Sequence, residues 1–253
     1  MMQMARFWLY LPAAIVLLNT ASFASPFPFP GDKEFAGICY PEAVHVYDSL
    51  LSRSPHDPQA LWRLARVYLC MADVAPDREE EALYRQAEVF ARQCIAADST
   101  VAEGHSWLAA ALGSIAMFEG GKRKVQLCSE IKRELDVAIA LDPSNDVAFS
   151  ILGSFYRALG NISWFERRLA DIFLGTLPEG GAAEAEIALK HAIELAPNVM
   201  RHRYELGVLY QETDRPAEAQ KQFEMVTTLP VLLARDQHTL VQARARAEAL
   251  AAK

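Results

Sequence analysis

A leucine followed by a small residue recurs four times in this chain, always with the same neighbours. The dipeptides are Leu64-Ala65, Leu108-Ala109, Leu152-Gly153 and Leu206-Gly207. A bulky residue follows each Leu by four positions, namely Tyr68, Leu112, Tyr156 and Tyr210. A turn residue precedes each Leu by nine positions, namely Pro55, Ser99, Pro143 and Pro197. Because a spacing of four places both apolar residues on one helical face, and because Pro cannot continue a preceding helix, each copy predicts a helix that follows a turn.

A second apolar stripe precedes each turn at twelve, eight and five residues. Its members are Ala43, Tyr47 and Leu50, then Ala87, Ala91 and Cys94, then Ile131, Leu135 and Ala138, and finally Ala185, Leu189 and Ala192. Spacings of four and three place each set on one side of a helix. The sequence therefore predicts an all-α fold, a solenoid of helix pairs in which each pair buries its apolar side against its neighbours.

This pattern resembles the tetratricopeptide repeat, a helix pair of about 34 residues. Residues 200–231 are the most regular copy, with matches at Leu206, Gly207, Tyr210 and Phe223. Successive turns are 44, 44 and 54 residues apart, so the copies carry insertions of 10, 10 and 20 residues. Because the step from turn to Leu never varies, we expect each insertion between the two helices of its repeat.

The 20-residue insertion predicts a helix of its own. Ser163 and Glu166 form a capping box at its start, and Gly175 and Pro178 end it. Together with Leu141-Asp142-Pro143, this insertion resembles the regulator-of-microtubule-dynamics family and its bacterial relatives, which include the periplasmic T-component proteins of substrate-binding-protein-dependent transporters. The resemblance covers roughly residues 121–250 and implies a solenoid with inserted helices. The spacing of Leu240, Ala243 and Ala247 by three and four adds a C-terminal capping helix.

The N-terminus has the features of a secretory signal. Residues 1–24 contain Arg6, an uncharged apolar run over residues 7–18, and small residues before Ser25. Twelve residues span about 18 Å, less than the hydrocarbon core of a bilayer, so we expect cleavage after Ala24 and no transmembrane segment in the mature chain. An uncleaved anchor is the alternative. This predicts export across the inner membrane to the periplasm.

Two further regions complete the predicted domain organisation. Residues 25–40 form a Pro-rich arm, in which Pro26, Pro28 and Pro30 favour an extended run. Residues 41–253 form the solenoid. Its predicted repeats lie near residues 58–99, 102–143, 146–197 and 200–231, and a capping helix covers residues 234–253.

Little in the sequence indicates chemistry. The net charge of −7 gives no basic excess for nucleic-acid binding. We find no nucleophile with a base, no metal-ligand spacing and no phosphate loop, so we expect no enzyme activity, no cofactor and no metal site. Four cysteines allow three disulfide pairings, and the sequence does not select among them: Cys39, Cys70, Cys94 and Cys128.

The predicted function is non-catalytic binding of a protein or peptide in the cell envelope, through a concave groove. Eight residues are the candidate partner-binding side chains. Trp164, Arg167 and Arg168 lie on the inserted helix, and Arg63, Arg66, His105, Phe149 and Arg203 lie near the variable first-helix positions. The residues of the inserted helix could instead pack on their own repeat, and the sequence does not decide whether the chain forms a homo-oligomer.

The alternative function is an accessory component of a periplasmic transport system that binds a small molecule or lipid. The basic turn at residues 122–124 would suit an acidic partner.

Overall fold

The computed structural model describes residues 27–252, apart from the side chains of residues 164–166, and the expected signal sequence lies outside this range. Within it, the chain forms twelve α-helices and no strand. The helices are α1 (Asp32–Ala36), α2 (Tyr40–Arg53), α3 (Pro58–Ala72), α4 (Asp77–Ala97), α5 (Ala102–Ile115), α6 (Gly121–Leu141), α7 (Asp146–Gly160), α8 (Trp164–Phe173), α9 (Ala182–Leu195), α10 (Met200–Glu212), α11 (Pro216–Val226) and α12 (Asp236–Ala251). The predicted all-α fold class is confirmed.

Four helix pairs stack in sequence. They are α3 with α4, α5 with α6, α7 with α9, and α10 with α11, and the first helix of each pair also packs on the first helix of the next. The small residue after each Leu allows the paired helices to approach closely. A Cβ on Gly153 would lie 2.5 Å from Leu189 Cγ, and one on Gly207 would lie 2.7 Å from Phe223 Cε1.

Short polar side chains hold the turns between repeats. Asp57 accepts hydrogen bonds from the backbone N–H of Gln59 and Ala60 at the start of α3, and Asn145 accepts one from Ala148 at the start of α7. These contacts satisfy N–H groups that have no partner within the helix. Two of the four first helices, α3 and α7, therefore begin with a side-chain cap, whereas α5 and α10 begin after Val101 and Val199 without one.

The insertions are accommodated in two ways. The two 10-residue insertions lengthen the second helices, so that α4 and α6 have 21 residues each. The 20-residue insertion holds the separate helix α8. This helix ends at Gly175, which has a φ of 127°, and the N–H groups of Leu174 and Gly175 both donate to the carbonyl of Ala170.

The N-terminal arm folds back onto the first repeat. The extended run that the prolines favour stops at Pro30, because Gly31 has a φ of 91° and is followed by α1. The Asp32 carboxylate accepts hydrogen bonds from Tyr47 Oη at 2.8 Å, Arg63 Nε at 2.9 Å and Arg66 Nη2 at 3.1 Å. Residues 32–36, expected to be extended, are therefore helical and held by charge-assisted bonds.

The connection between α11 and α12 reaches the other end of the solenoid. We call residues 230–235 the crossing segment. The Ala234 N–H donates to Tyr40 Oη at 3.0 Å, and Arg235 Nη1 donates to Asp73 Oδ2 at 2.6 Å. Leu233 packs on the N-terminal core cluster beside Tyr40. Helix α12 then covers the last repeat, where Ala243 is buried.

Candidate binding cavity

A cavity of about 760 Å³ is lined by α5, α6, α7, α8 and α10. Part of its wall is apolar, with Ile151 and Phe155 from α7 and Leu174 beyond the end of α8. Small residues line it along the first helices: Ala109, Ala110, Gly113 and Ala158. Nothing lies within 4 Å of the position that a Cβ on Gly113 would occupy, so open space adjoins this wall. The volume falls in the range typical of small-ligand and peptide side-chain pockets.

Arg201, in the first turn of α10, is one of three cations on the cavity wall, together with Lys124 and Arg157. Its Nε is enclosed and has no hydrogen-bond partner, and its guanidinium forms no ion pair with another described residue. The positive charge of Arg235 and burial lower the pKa of Arg201 below its ordinary value. Glu205 and Asp73 act on Arg201 through space and raise its pKa, but they form no ion pair with it and do not outweigh Arg235 and burial. A half-buried cation without a hydrogen-bonded anion favours a ligand with negative charge.

The neighbouring polar groups of the cavity are only partly satisfied. Arg157 donates to Glu205 Oε2 at 3.1 Å and to Glu212 Oε1 at 2.7 Å, but its Nε has no partner. The Ser154 hydroxyl, which also lines the cavity, is enclosed without a partner. Arg201 and Ser154 together provide donors for a carboxylate or a phosphate.

The structure uses Arg63 and Arg66 within the chain. Both bind Asp32, and their guanidinium carbons lie 3.9 Å and 3.7 Å from the ring centroids of Phe29 and Phe35. Burial raises the pKa of Asp32, but the hydrogen bonds from Arg63 and Tyr47 and the two arginine charges outweigh this and lower it. These two candidates therefore fasten the N-terminal arm.

The other three first-helix candidates face second helices or the core between repeats. His105 is buried, with Nδ1 2.6 Å from Glu134 Oε2 of α6. The Phe149 ring lies edge-on to His191 of α9, with centroids 4.4 Å apart. Arg203 contacts α11 through Gln222. None of the three lines the cavity.

A helical-wheel argument explains why the sequence indicated different residues. Residues three before each Leu share the buried side with that Leu, because four residues make about one turn. Positions five before, two after and five after lie about 140–220° around the helix from it. Arg201, Ser154 and Arg157 occupy these positions in their repeats and line the cavity. The periodicity could have identified these positions, although Arg66, two after Leu64, occupies one of them and binds Asp32 instead.

The candidates on the inserted helix remain predictions. Arg167 donates from Nη1 to the carbonyl of Pro178 at 3.0 Å and so holds the end of the insertion. Arg168 is exposed. The side chain of Trp164 lies outside the described part of the structure.

The cysteines are four free thiols, so none of the three possible disulfides is present. Burial raises the pKa of Cys70 and of Cys94 to about 12 in each case. Both thiols are therefore protonated and unreactive at neutral pH. Over residues 27–252, no three metal-ligating side chains come together, and no helix is long and apolar enough to cross a membrane.

Comparison with known proteins assigns the family. The family model described as regulator of microtubule dynamics protein 1-3 matches residues 32–251. The chain belongs to this family. The match includes α8, so the resemblance that the insertion suggested is confirmed for the family, while the T-component branch stays a prediction.

The chain matches curated mammalian members of this family over part of their length. The chain is 27% identical over 182 residues to mouse regulator of microtubule dynamics protein 2, covering 71% of this chain and 44% of that protein. It is 30% identical over 173 residues to bovine regulator of microtubule dynamics protein 3, covering 67% of this chain and 36% of that protein. It is 27% identical over 160 residues to bovine regulator of microtubule dynamics protein 1, covering 62% of this chain and 50% of that protein. The chain thus spans half or less of these relatives. The predicted periplasmic location is wrong, because these relatives are mammalian regulators of microtubule dynamics.

Solved structures agree with the fold. A thermophilic tetratricopeptide-repeat protein of Thermus thermophilus superposes with a TM-score of 0.63 at 21% identity, covering 85% of this chain and 94% of that one. PilW, a type IV pilus biogenesis factor, superposes with a TM-score of 0.52 at 17% identity, covering 87% and 86%. These similarities support an α-solenoid of tetratricopeptide-like helix pairs.

Proposed function

We propose that the protein is a non-catalytic scaffold that binds a carboxylate-bearing segment of a partner protein in the cavity beside Arg201. The observation that carries this proposal is the unpaired Arg201 guanidinium on the wall of a 760 Å³ cavity. Repeat solenoids offer preformed surfaces, so the chain need not reorganise to bind. Tetratricopeptide architecture supports a protein or peptide as the partner class.

The partner would contact both the polar and the apolar part of the cavity wall. A carboxylate would accept hydrogen bonds from Arg201 and Ser154, and an adjoining apolar side chain would pack on Ile151 and Phe155. The small residues of α5 and α7 leave room for an extended backbone. Because the curated relatives are named regulators of microtubule dynamics, tubulin is the first partner protein to test.

The test uses Arg201→Gln in the full chain. Binding of a fluorescein-labelled oligoglutamate peptide, and separately of purified tubulin, is measured by anisotropy and co-sedimentation. Loss of a charge-assisted hydrogen bond should weaken binding at least tenfold. The same substitution should raise the free energy of unfolding by about 1 kcal/mol, because it removes an enclosed, unpaired charge.

Arg78→Gln is the matched control, since Arg78 is 84% exposed and pairs only with its neighbour Glu79. It should leave both binding and stability unchanged. If Arg201→Gln lowers stability while binding persists, Arg201 has a packing role and the proposal is wrong.

A small ligand is the second candidate. The apolar residues Ile151, Phe155, Leu159 and Leu177 favour it, since they surround the cavity with little hydrogen-bonding capacity. The T-component resemblance also favours it. Native mass spectrometry of the purified chain separates the two candidates: a co-purifying small molecule supports this one, and a stoichiometric polypeptide supports the scaffold.

A further inference from the structure

The inserted helix α8 has one buried side and one exposed side. Ala170 is buried in the core. Leu169, Ile172 and Phe173, spaced by three and four residues, are 40%, 68% and 72% exposed. None of these three side chains lines the cavity beside Arg201. Clustered exposed apolar residues of this kind mark interaction surfaces.

The end of α8 meets the start of α6. Leu174 Cδ1 lies 3.4 Å from the position of a Cβ on Gly121, and Val125 Cγ1 lies 3.5 Å from that of a Cβ on Gly175. Met117, shortly before α6, is 76% exposed. The exposed apolar side chains of Met117, Ile172 and Phe173 therefore lie on adjoining segments of the chain.

Four cations lie on the same two elements. Lys122, Arg123 and Lys124 occupy the first turn of α6, and Arg168 lies on α8; all four are exposed. None of their side chains forms a hydrogen bond or ion pair with another described residue. The whole chain carries a net charge of −7, so this concentration of unpaired positive charge is local. We call Met117, residues 122–124, Arg168, Ile172 and Phe173 the α6–α8 edge. Two of its members, Met117 and Lys124, also line the rim of the cavity.

The position of these cations is unfavourable for the helix itself. A helix N-terminus carries partial positive charge, and cations there destabilise it. Helices α4, α7 and α12 have acidic residues in their first turns, whereas α6, like α3 and α10, has none. An external anion layer would offset this cost, since the unpaired backbone N–H groups and three cations all lie in this first turn.

We infer that the α6–α8 edge docks onto an anionic lipid bilayer. Ile172, Phe173 and Met117 enter the interface between head groups and acyl chains, while the cations bind lipid phosphates. Protruding apolar side chains beside unpaired Lys and Arg are the features of an interfacial membrane-binding surface. An acidic peptide would use the cations but would leave the protruding apolar residues exposed to water. This inference goes beyond the proposed scaffold function and does not depend on Arg201.

Vesicle flotation of the full chain tests the inference. Vesicles of pure phosphatidylcholine are compared with vesicles in which part of it is replaced by phosphatidylserine. Residues 7–18 are apolar and can bind either composition, so the informative quantity is the ratio of the two partition coefficients. We expect wild-type protein to prefer the anionic vesicles, with a preference that falls as salt is raised.

Two variants separate the contributions. Replacing Lys122, Arg123 and Lys124 by Gln should reduce the ratio about a hundredfold, at roughly fivefold for each cation. Ile172→Ser with Phe173→Ser should reduce binding to anionic vesicles at least tenfold. The matched control is Ile187→Ser with Val241→Ser, two residues that are 71% and 65% exposed on other helices, and it should change nothing.

Three results would overturn the inference: equal partition of wild-type protein into both vesicle types, an equal loss in the control variant, or binding of oligoglutamate through residues 122–124 with no binding to vesicles. The last result would identify an acidic protein segment as the occupant. Arg201→Gln should leave the vesicle ratio unchanged, so failure here is distinguishable from failure of the proposed scaffold function.

Discussion

His105 shows how a single buried residue makes the stability of this repeat depend on pH. The hydrogen bond to Glu134 raises the pKa of His105 above 6.5 despite burial, and the hydrogen bond from His105 lowers the pKa of Glu134 below 4.5. The stabilisation that His105 contributes is complete below pH 6.5 and is lost as the pH rises through its raised pKa. The stabilisation that Glu134 contributes is complete above pH 4.5 and is lost as the pH falls through its lowered pKa. The pair therefore stabilises the folded state most between pH 4.5 and pH 6.5.

His105→Gln should lower the free energy of unfolding by about 2 kcal/mol within that window, and by less at about pH 9. Urea denaturation of both proteins at both pH values measures the difference. His238→Gln, on the exposed side of α12, is the control and should have no effect at either pH. An equal loss at both pH values would show that the charge on His105 contributes nothing.

At the scale of the element, the residue after each Leu sets how closely two helices pack. Gly153→Ala would place a Cβ 2.5 Å from Leu189 Cγ and should lower the free energy of unfolding by about 1–3 kcal/mol. Gly113→Ala meets nothing within 4 Å and should raise it by up to about 1 kcal/mol, because Ala favours a helix. Chemical denaturation of the two variants measures whether the free energy of unfolding falls in the first and rises in the second. Equal effects would mean that close helix approach is not what selects Gly153.

The helix pairs could be predicted because repeated local spacings encode them. Leu206, Gly207 and Tyr210 lie within one helix, so their pattern is readable without knowing the fold. The cavity-lining positions could also have been predicted, because they lie on the opposite side of the same helices, where Arg201 lies. The Asp32 contacts with Arg63 could not be predicted, since the partners are 31 residues apart and no local pattern links them.

At the scale of the whole molecule, the Arg235–Asp73 ion pair joins residues 162 positions apart. Arg235→Gln should weaken the crossing segment and increase amide hydrogen exchange in α2 and α3 about tenfold, because their contact with the C-terminal half is loosened. Hydrogen-exchange mass spectrometry measures this by peptide.

Arg92→Gln is the matched control, since Arg92 pairs with Glu88 and Glu130 and bridges only adjacent repeats. Exchange in α2 and α3 should not change in this variant. If both variants loosen those helices equally, the crossing segment has no special role in connecting the ends.

An open repeat array can gain or lose a unit, because each unit contacts only its neighbours. Here the Ala234 N–H must reach Tyr40 Oη, so the distance and rotation accumulated over all intervening units are fixed. One more helix pair would carry residue 234 beyond its acceptor, and one fewer would leave it short. Variation among such chains should therefore accumulate as insertions within units, of the kind that holds α8, while the number of units stays constant.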